Sequence, residues 1–165
     1  MKKDAIIYST LCGTTRETAE RMRLASKGKA DIFDIKENPS VNIDKYSRVF
    51  VGSGIYAKKF SKEIDQFITS NASKLNSKEV ILFVHGLAPE AEGKKMVEEA
   101  VNNRIPSSKY KTYYLGGKLD LKHKNLFLRM FSRFIANMAK LDPKNPSNIN
   151  EQRVEELIKC VSMTS

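Results

Sequence analysis

The sequence predicts an α/β domain built on a doubly wound parallel sheet, and three observations carry the prediction. Short apolar runs alternate with longer amphipathic ones in a repeated β-α order. The short runs are hydrophobic on both faces, as strands sandwiched between two helical layers must be. No Pro- or Gly-dominated tract interrupts the alternation, so the 165 residues are expected to form one domain, 1–165.

Ala5-Ile6-Ile7-Tyr8 is the first strand and the expected centre of the sheet. A polar loop containing Gly13 leads into a helix over 16–27, with Ala19, Met22, Arg23, Ala25 and Ser26 spaced for one buried stripe. Asp31 to Ile35 is the second strand, ended by Asn38-Pro39-Ser40. Arg48 to Ser53 is the third, followed by a loop and a helix over 62–70 that uses Ile64, Phe67 and Ile68. Lys78 to His85, with five consecutive apolar residues from Val80 to Val84, is the plainest strand of the chain. A helix over 92–103, a fifth strand over 112–115 and a last helix over 154–161 complete the alternation. Between the last two lies an additional amphipathic helix, 124–140, with Phe127, Met130, Phe131, Phe134, Ile135 and Met138 at helical spacing and Arg129 and Arg133 among them.

Composition narrows the function classes. Hydrophobic residues make up 41% and charged residues 29%, a globular balance. No run is long and apolar enough for a membrane span, and Met1 to Ala5 leads into a strand rather than a signal-peptide core, so a cytoplasmic protein is expected. Cys12 and Cys160 match no zinc or CxxC spacing, and neither metal nor disulfide chemistry is indicated. The net charge of +10 favours an anionic contact: a phosphorylated cofactor, an acidic partner, a membrane surface or nucleic acid. Much of it lies between Arg104 and Lys140, where Asp120 is the single acid.

The segment Ser9-Thr10-Leu11-Cys12-Gly13-Thr14-Thr15 sits where a strand hands over to a helix, the place where backbone N–H groups and the helix dipole hold an anion. Thr10, Thr14 and Thr15 add hydroxyls, and Gly13 permits close backbone approach. The loop lacks the Lys of a nucleoside-triphosphate loop and the GxGxxG of dinucleotide folds, so a monophosphate fits it better. The plainer alternative is a helix capped by hydroxyl residues beside a turn.

The loop resembles the phosphate loop of the flavodoxin family, Thr or Ser, any residue, Thr, Gly, any residue, Thr. Thr10, Gly13 and Thr15 match, and Cys12 stands in place of the middle Thr. Two more segments add to the likeness: Gly52-Ser53-Gly54-Ile55-Tyr56 after the third strand and His85-Gly86-Leu87 after the fourth. The start Ser9-Thr10-x-x-Gly13-x-Thr15-Arg16-Glu17 and the inserted basic segment from Gly116 through Met138 are closest to the flavodoxin-type, menaquinone-dependent protoporphyrinogen oxidase group.

The resemblance implies a flavodoxin-like five-stranded parallel sheet of order 2-1-3-4-5 with FMN at its switch point. It implies cofactor binding by Thr10, Leu11, Cys12, Gly13, Thr14, Thr15, Ser53, Gly54, Ile55, Tyr56, His85, Gly86 and Leu87, with Tyr56 stacking on the flavin. The flavin would carry the chemistry, so no catalytic side chain is required. His85 either donates a hydrogen bond or proton near the ring or serves a structural partner at the strand end. Cys12 is either a thiol of lowered pKa in a positive nest or a small residue filling the turn. Lys58 and Lys59 either attract an anionic substrate or are plain surface lysines.

An FMN-dependent oxidoreductase linked to protoporphyrinogen or quinone is the function so implied, with a non-enzymatic flavodoxin-type electron-transfer protein as the alternative. The expected partners are a redox protein or a small-molecule substrate, with peripheral contact to anionic membrane and a homodimer left open. Nucleic acid is not expected, because the aromatic residues lie in apolar stripes rather than on a platform. The basic helix has three readings: a lid over the flavin, a surface helix on anionic lipid, or a helix whose stripe packs on the sheet.

Overall fold

The computed structural model describes residues 3–122, 124–138, 140–142 and 144–163. Met1 and Lys2 at the start of the chain, and Ala139 within the expected basic helix, lie outside them. In chain order the elements are β1 (Asp4–Tyr8), α1 (Thr14–Ala25), β2 (Ala30–Asp34), β3 (Arg48–Tyr56), β4 (Lys59–Phe60), α2 (Lys62–Leu75), β5 (Glu79–His85), α3 (Glu90–Val101), β6 (Tyr110–Tyr114), α4 (Leu126–Met138) and α5 (Glu151–Ser162).

Five strands run parallel in the order β2-β1-β3-β5-β6, and β4 pairs antiparallel with the end of β3. With β4 set aside, this is the expected order. The middle strand is β3 rather than β1, because β3 pairs with both β1 and β5 while β1 is followed outward by β2. The winding reverses between β1 and β3, so the loops leaving the carboxyl ends of β1, β3 and β5 converge at one edge of the sheet.

The strands are apolar throughout because both faces are covered, and alternate side chains go to opposite layers. Ala5, Ile7, Val49, Val51, Val80, Leu82 and Val84 pack with Ile64, Phe67 and Ile68 of α2 and Val97 and Val101 of α3. Ile6, Tyr8, Phe50, Ile81, Phe83 and Tyr113 pack with Ala19 and Met22 of α1 and Val154, Leu157 and Val161 of α5. Full burial of each large aliphatic or aromatic side chain contributes about 1.5–3 kcal/mol, so these two layers dominate the stability. Polar anchoring adds to it at the start of β1. The fully buried Asp4 carboxylate receives Arg48 Nε at 3.1 Å and Nη2 at 2.6 Å, and Arg48 Nη1 reaches the Cys160 carbonyl of α5 at 3.2 Å. Arg48→Ala takes the guanidinium away from a buried carboxylate and is expected to lower the unfolding free energy by about 3 kcal/mol in urea melts.

Four local expectations are corrected. α1 begins at Thr14, directly after the left-handed Gly13, and its buried stripe is Thr15, Thr18, Ala19 and Met22; Arg23 points outward and pairs with Glu20 at 2.7 Å. The loop expected after Ser53 is strand as far as Tyr56, then turns through Ala57 and Lys58 at φ 47° and 64° into β4. That two-residue turn needs positive φ at both positions and usually carries Asn-Gly, a signal missing here. Lys58 pairs with Glu99 at 3.1 Å, so only Lys59 of the two lysines stays without a carboxylate partner among the described residues. The fourth correction concerns α4 and removes one of its three readings, a stripe packed on the sheet: among its described residues only Ser132 and Ala136 are buried, Leu128 and Ile135 are half-buried, and Leu126, Phe127, Met130, Phe131, Phe134 and Met138 are exposed. Small residues make the inward face, so the apolar bulk does not pack on the sheet.

Candidate functional site

The site is built outward from the end of β1. Thr10 Oγ1 accepts the Gly13 N–H at 2.9 Å and closes the turn, and Gly13 at φ 90° lets the chain enter α1 at once. No side chain caps the first amides of α1. They remain available, beside the Thr14 and Thr15 hydroxyls, for an anion at the positive end of the helix. Lys36 Nζ donates to the Thr10 carbonyl at 2.7 Å, which brings a cation against the loop. Arg16 ties the helix start to β1 and β2, with Nε on Tyr8 Oη at 3.2 Å and Nη2 on the nearly buried Asp34 carboxylate at 2.8 Å.

Next to this turn is a cavity of about 370 Å³, within the range of small-molecule sites. Thr10, Leu11, Cys12, Thr14, Thr15, Gly54, Ile55, Tyr56, His85, Gly86 and Leu87 all line it, so the three segments marked in the sequence meet in one place. Gly13 and Ser53 do not line it. Gly13 acts by shaping the turn. The buried Ser53 hydroxyl donates to the Gly54 carbonyl at 2.7 Å and accepts the Ser61 N–H at 3.0 Å, which joins β3 to the start of α2. Burial and Asp120 push the Cys12 thiol up against the opposing pull of Lys36, in keeping with a small residue filling the turn rather than a thiol of lowered pKa. Burial likewise raises the hydroxyl of the half-exposed Tyr56.

The sequence profile of the flavodoxin domain family matches residues 5–145. The chain belongs to the flavodoxin domain family. Solved structures agree on the fold. A flavoprotein from Lactobacillus acidophilus NCFM, described in complex with FMN, superposes with a TM-score of 0.50 at 17% identity, covering 71% of this chain and 93% of its own. Oxidised Flavodoxin 1 from Bacillus cereus also gives 0.50 at 17% identity, with coverages of 84% and 97%. Rubredoxin oxygen:oxidoreductase from the anaerobe Desulfovibrio gigas gives 0.52 at 11% identity; 99% of this chain aligns with 38% of that one. No curated protein matches the chain by sequence.

In this flavodoxin-domain chain the cavity has a further wall: Tyr114 at the end of β6, Gly117, Lys118 and Leu119 after it, and Phe131 and Ile135 of α4, the helix for which a lid over the flavin is one of the three readings. Ala57, Ala88 and Met96 complete it. The Gly116-Gly117 pair after the last strand was the available signal. Burial pushes the Tyr114 hydroxyl up to about 12, with the Ala88 backbone acting against the shift. Tyr114 Oη makes no hydrogen bond of ordinary geometry among the described residues.

His85 is occupied at both ring nitrogens. Nδ1 lies 2.8 Å from the Gly116 carbonyl and Nε2 lies 2.9 Å from Thr18 Oγ1. A carbonyl can only accept, so Nδ1 carries the proton and Nε2 accepts from the threonine. The structural alternative for His85 therefore accounts for its partners. Burial holds its pKa below the ordinary 6.5. The folded protein keeps the ring neutral while the unfolded chain protonates it near 6.5, so this contribution is full above that pH and is lost as pH falls toward the folded value. The urea midpoint of the wild type is expected to fall more between about pH 7.5 and 5.5 than that of His85→Gln.

Proposed function

We propose that this cavity binds FMN and that the protein is a flavoprotein oxidoreductase working on a quinone or a porphyrinogen at the inner face of an anionic membrane. The observation that carries the proposal is the convergence of the three strand-end loops on a cavity whose one end is the uncapped start of α1.

FMN supplies hydride and single-electron transfer when bound. The first amides of α1, with Thr14 and Thr15, would hold its phosphate, and Lys36 and Lys118 lie near enough to that end to offset its charge. Backbone groups of Gly54, Ile55, Gly86 and Leu87 would border the ring, and Tyr56 offers it an aromatic face. Neutral His85 fixes the Gly116 carbonyl rather than moving a proton. Phe131 and Ile135 of α4 line the cavity and would shield a bound ring from water.

The choice of quinone or porphyrinogen rests on the resemblance of Ser9 through Glu17 and of the inserted segment after β6 to the menaquinone-dependent protoporphyrinogen oxidase group. A non-enzymatic electron carrier is the second reading. Against it, no carboxylate lines the cavity among the described residues and the net charge is +10, whereas carrier flavodoxins present acids around the flavin. The test mixes FMN-loaded protein anaerobically with protoporphyrinogen and a menaquinone analogue and follows porphyrin fluorescence. Quinone-dependent turnover is expected; no turnover, with rapid electron exchange to a redox protein, would favour the carrier.

A further inference from the structure

We infer that α4 is a docking element for an anionic lipid surface, and that docking sets the mouth of the cavity against the headgroup layer. The second half rests on the oxidoreductase reading above; the surface contact stands without it. Phe127 is 74% exposed, Met130 62%, Phe134 59% and Met138 68%. At about 100° per residue these four side chains share one arc of the helix, opposite the Ser132 and Ala136 that face the body. Apolar exposure this concentrated marks a binding surface rather than ordinary scatter.

The charge around the strip says what covers it. Lys122, Lys124 and Lys140 flank the helix in sequence, Arg133 borders the arc, the half-buried Arg129 lies on the side of Ala136, and no acid occurs between Asp120 and Asp142. Among the described residues none of these five cations forms an ion pair, whereas Arg21 and Arg153 on the α1 and α5 side are each paired with two carboxylates. A second copy would set five cations against five, which opposes pairing through this face. A single convex helix offers no recess for a partner's anchoring side chain. A headgroup layer needs none: the aromatic and methionine side chains enter the acyl boundary while the cations meet lipid phosphates.

Phe131 and Ile135 connect this surface to the cavity. They belong to the same helix, line the cavity, and sit at the border between the exposed arc and the body. A docked α4 would open the cavity toward the bilayer, where an amphiphilic electron partner is concentrated.

The experiment is co-sedimentation of the FMN-loaded full chain with vesicles of neutral phosphatidylcholine alone and of phosphatidylcholine with phosphatidylglycerol. Binding only to the anionic vesicles, weakening with salt, is expected. Lys124→Gln with Arg133→Gln should weaken it about thirty-fold, taking the usual contribution of each cation near such a surface. Phe127→Ser with Phe134→Ser should weaken it at least tenfold, and both pairs should keep the wild-type FMN content. No binding to anionic vesicles, or binding that neither pair changes, would overturn the proposal. So would a dimer that dissociates in the phenylalanine pair, or an acidic protein that replaces the vesicles as the ligand of α4. Colourless protein that still sediments with anionic vesicles would sink the flavin reading and leave the docking surface standing.

Discussion

Thr14→Asp is expected to leave the fold intact and to weaken FMN binding by about thirty-fold or more. Thr14 is the first residue of α1 and lines the cavity. A carboxylate there interacts favourably with the helix dipole, by about 0.3–1 kcal/mol, so the urea midpoint should hold or rise. The same carboxylate repels a phosphate seated on the first amides. Unit charges about 4 Å apart interact by about 4 kcal/mol at the effective dielectric of a partly solvated site, and about half of that suffices for a thirty-fold loss even against a singly charged phosphate. Riboflavin, which carries no phosphate, should lose little. Titration of flavin fluorescence with both ligands checks this, and an equal loss for the two would place the phosphate elsewhere.

Gly116→Ala is expected to lower stability by about 3 kcal/mol and to loosen the cavity with it. Gly116 has φ 72°, where an alanine costs about 1–2 kcal/mol, and its Cβ would collide with the backbone carbonyl of Asn148. The collision falls on a junction. The Gly116 carbonyl accepts His85 Nδ1 at 2.8 Å and the Gly86 N–H at 3.3 Å. Asn148 Oδ1 accepts the Gly117 N–H at 2.7 Å, and its Nδ2 donates to the Leu87 carbonyl at 3.0 Å. Shifting the Asn148 backbone therefore moves both loops at that end of the cavity. Gly28→Ala is the control: φ is 84°, but nothing stands where its Cβ would go, so only the conformational cost of about 1–2 kcal/mol should appear in urea melts.

The sheet was legible because parallel strands must be apolar on both faces, which makes Ala5 to Tyr8 and Val80 to Val84 stand out with no reference to any partner. The phosphate turn was legible because Gly13 and its threonines sit where a strand hands over to a helix. The β3–β4 hairpin was not, since Ala57 and Lys58 adopt left-handed conformations that their residue types do not announce. Nor did sequence place Tyr114 and Lys118 at the cavity, and it offered Phe131 and Ile135 there only through one of three readings of α4, because no local pattern gives the path of the chain from the end of β6 onward. The orientation of α4 was the least legible feature. Periodicity shows that Phe127, Met130, Phe134 and Met138 share a face, yet it cannot say whether that face or the narrow one of Ser132 and Ala136 meets the body.

The central claim is that the cavity at the carboxyl ends of β1, β3 and β5 holds FMN, and an absorption spectrum after FMN loading and gel filtration tests it most directly. The account predicts a flavin band that co-elutes stoichiometrically with the wild-type protein and is lost from Thr14→Asp, whose urea midpoint is unchanged or higher. A folded wild-type protein that stays colourless after loading would contradict it.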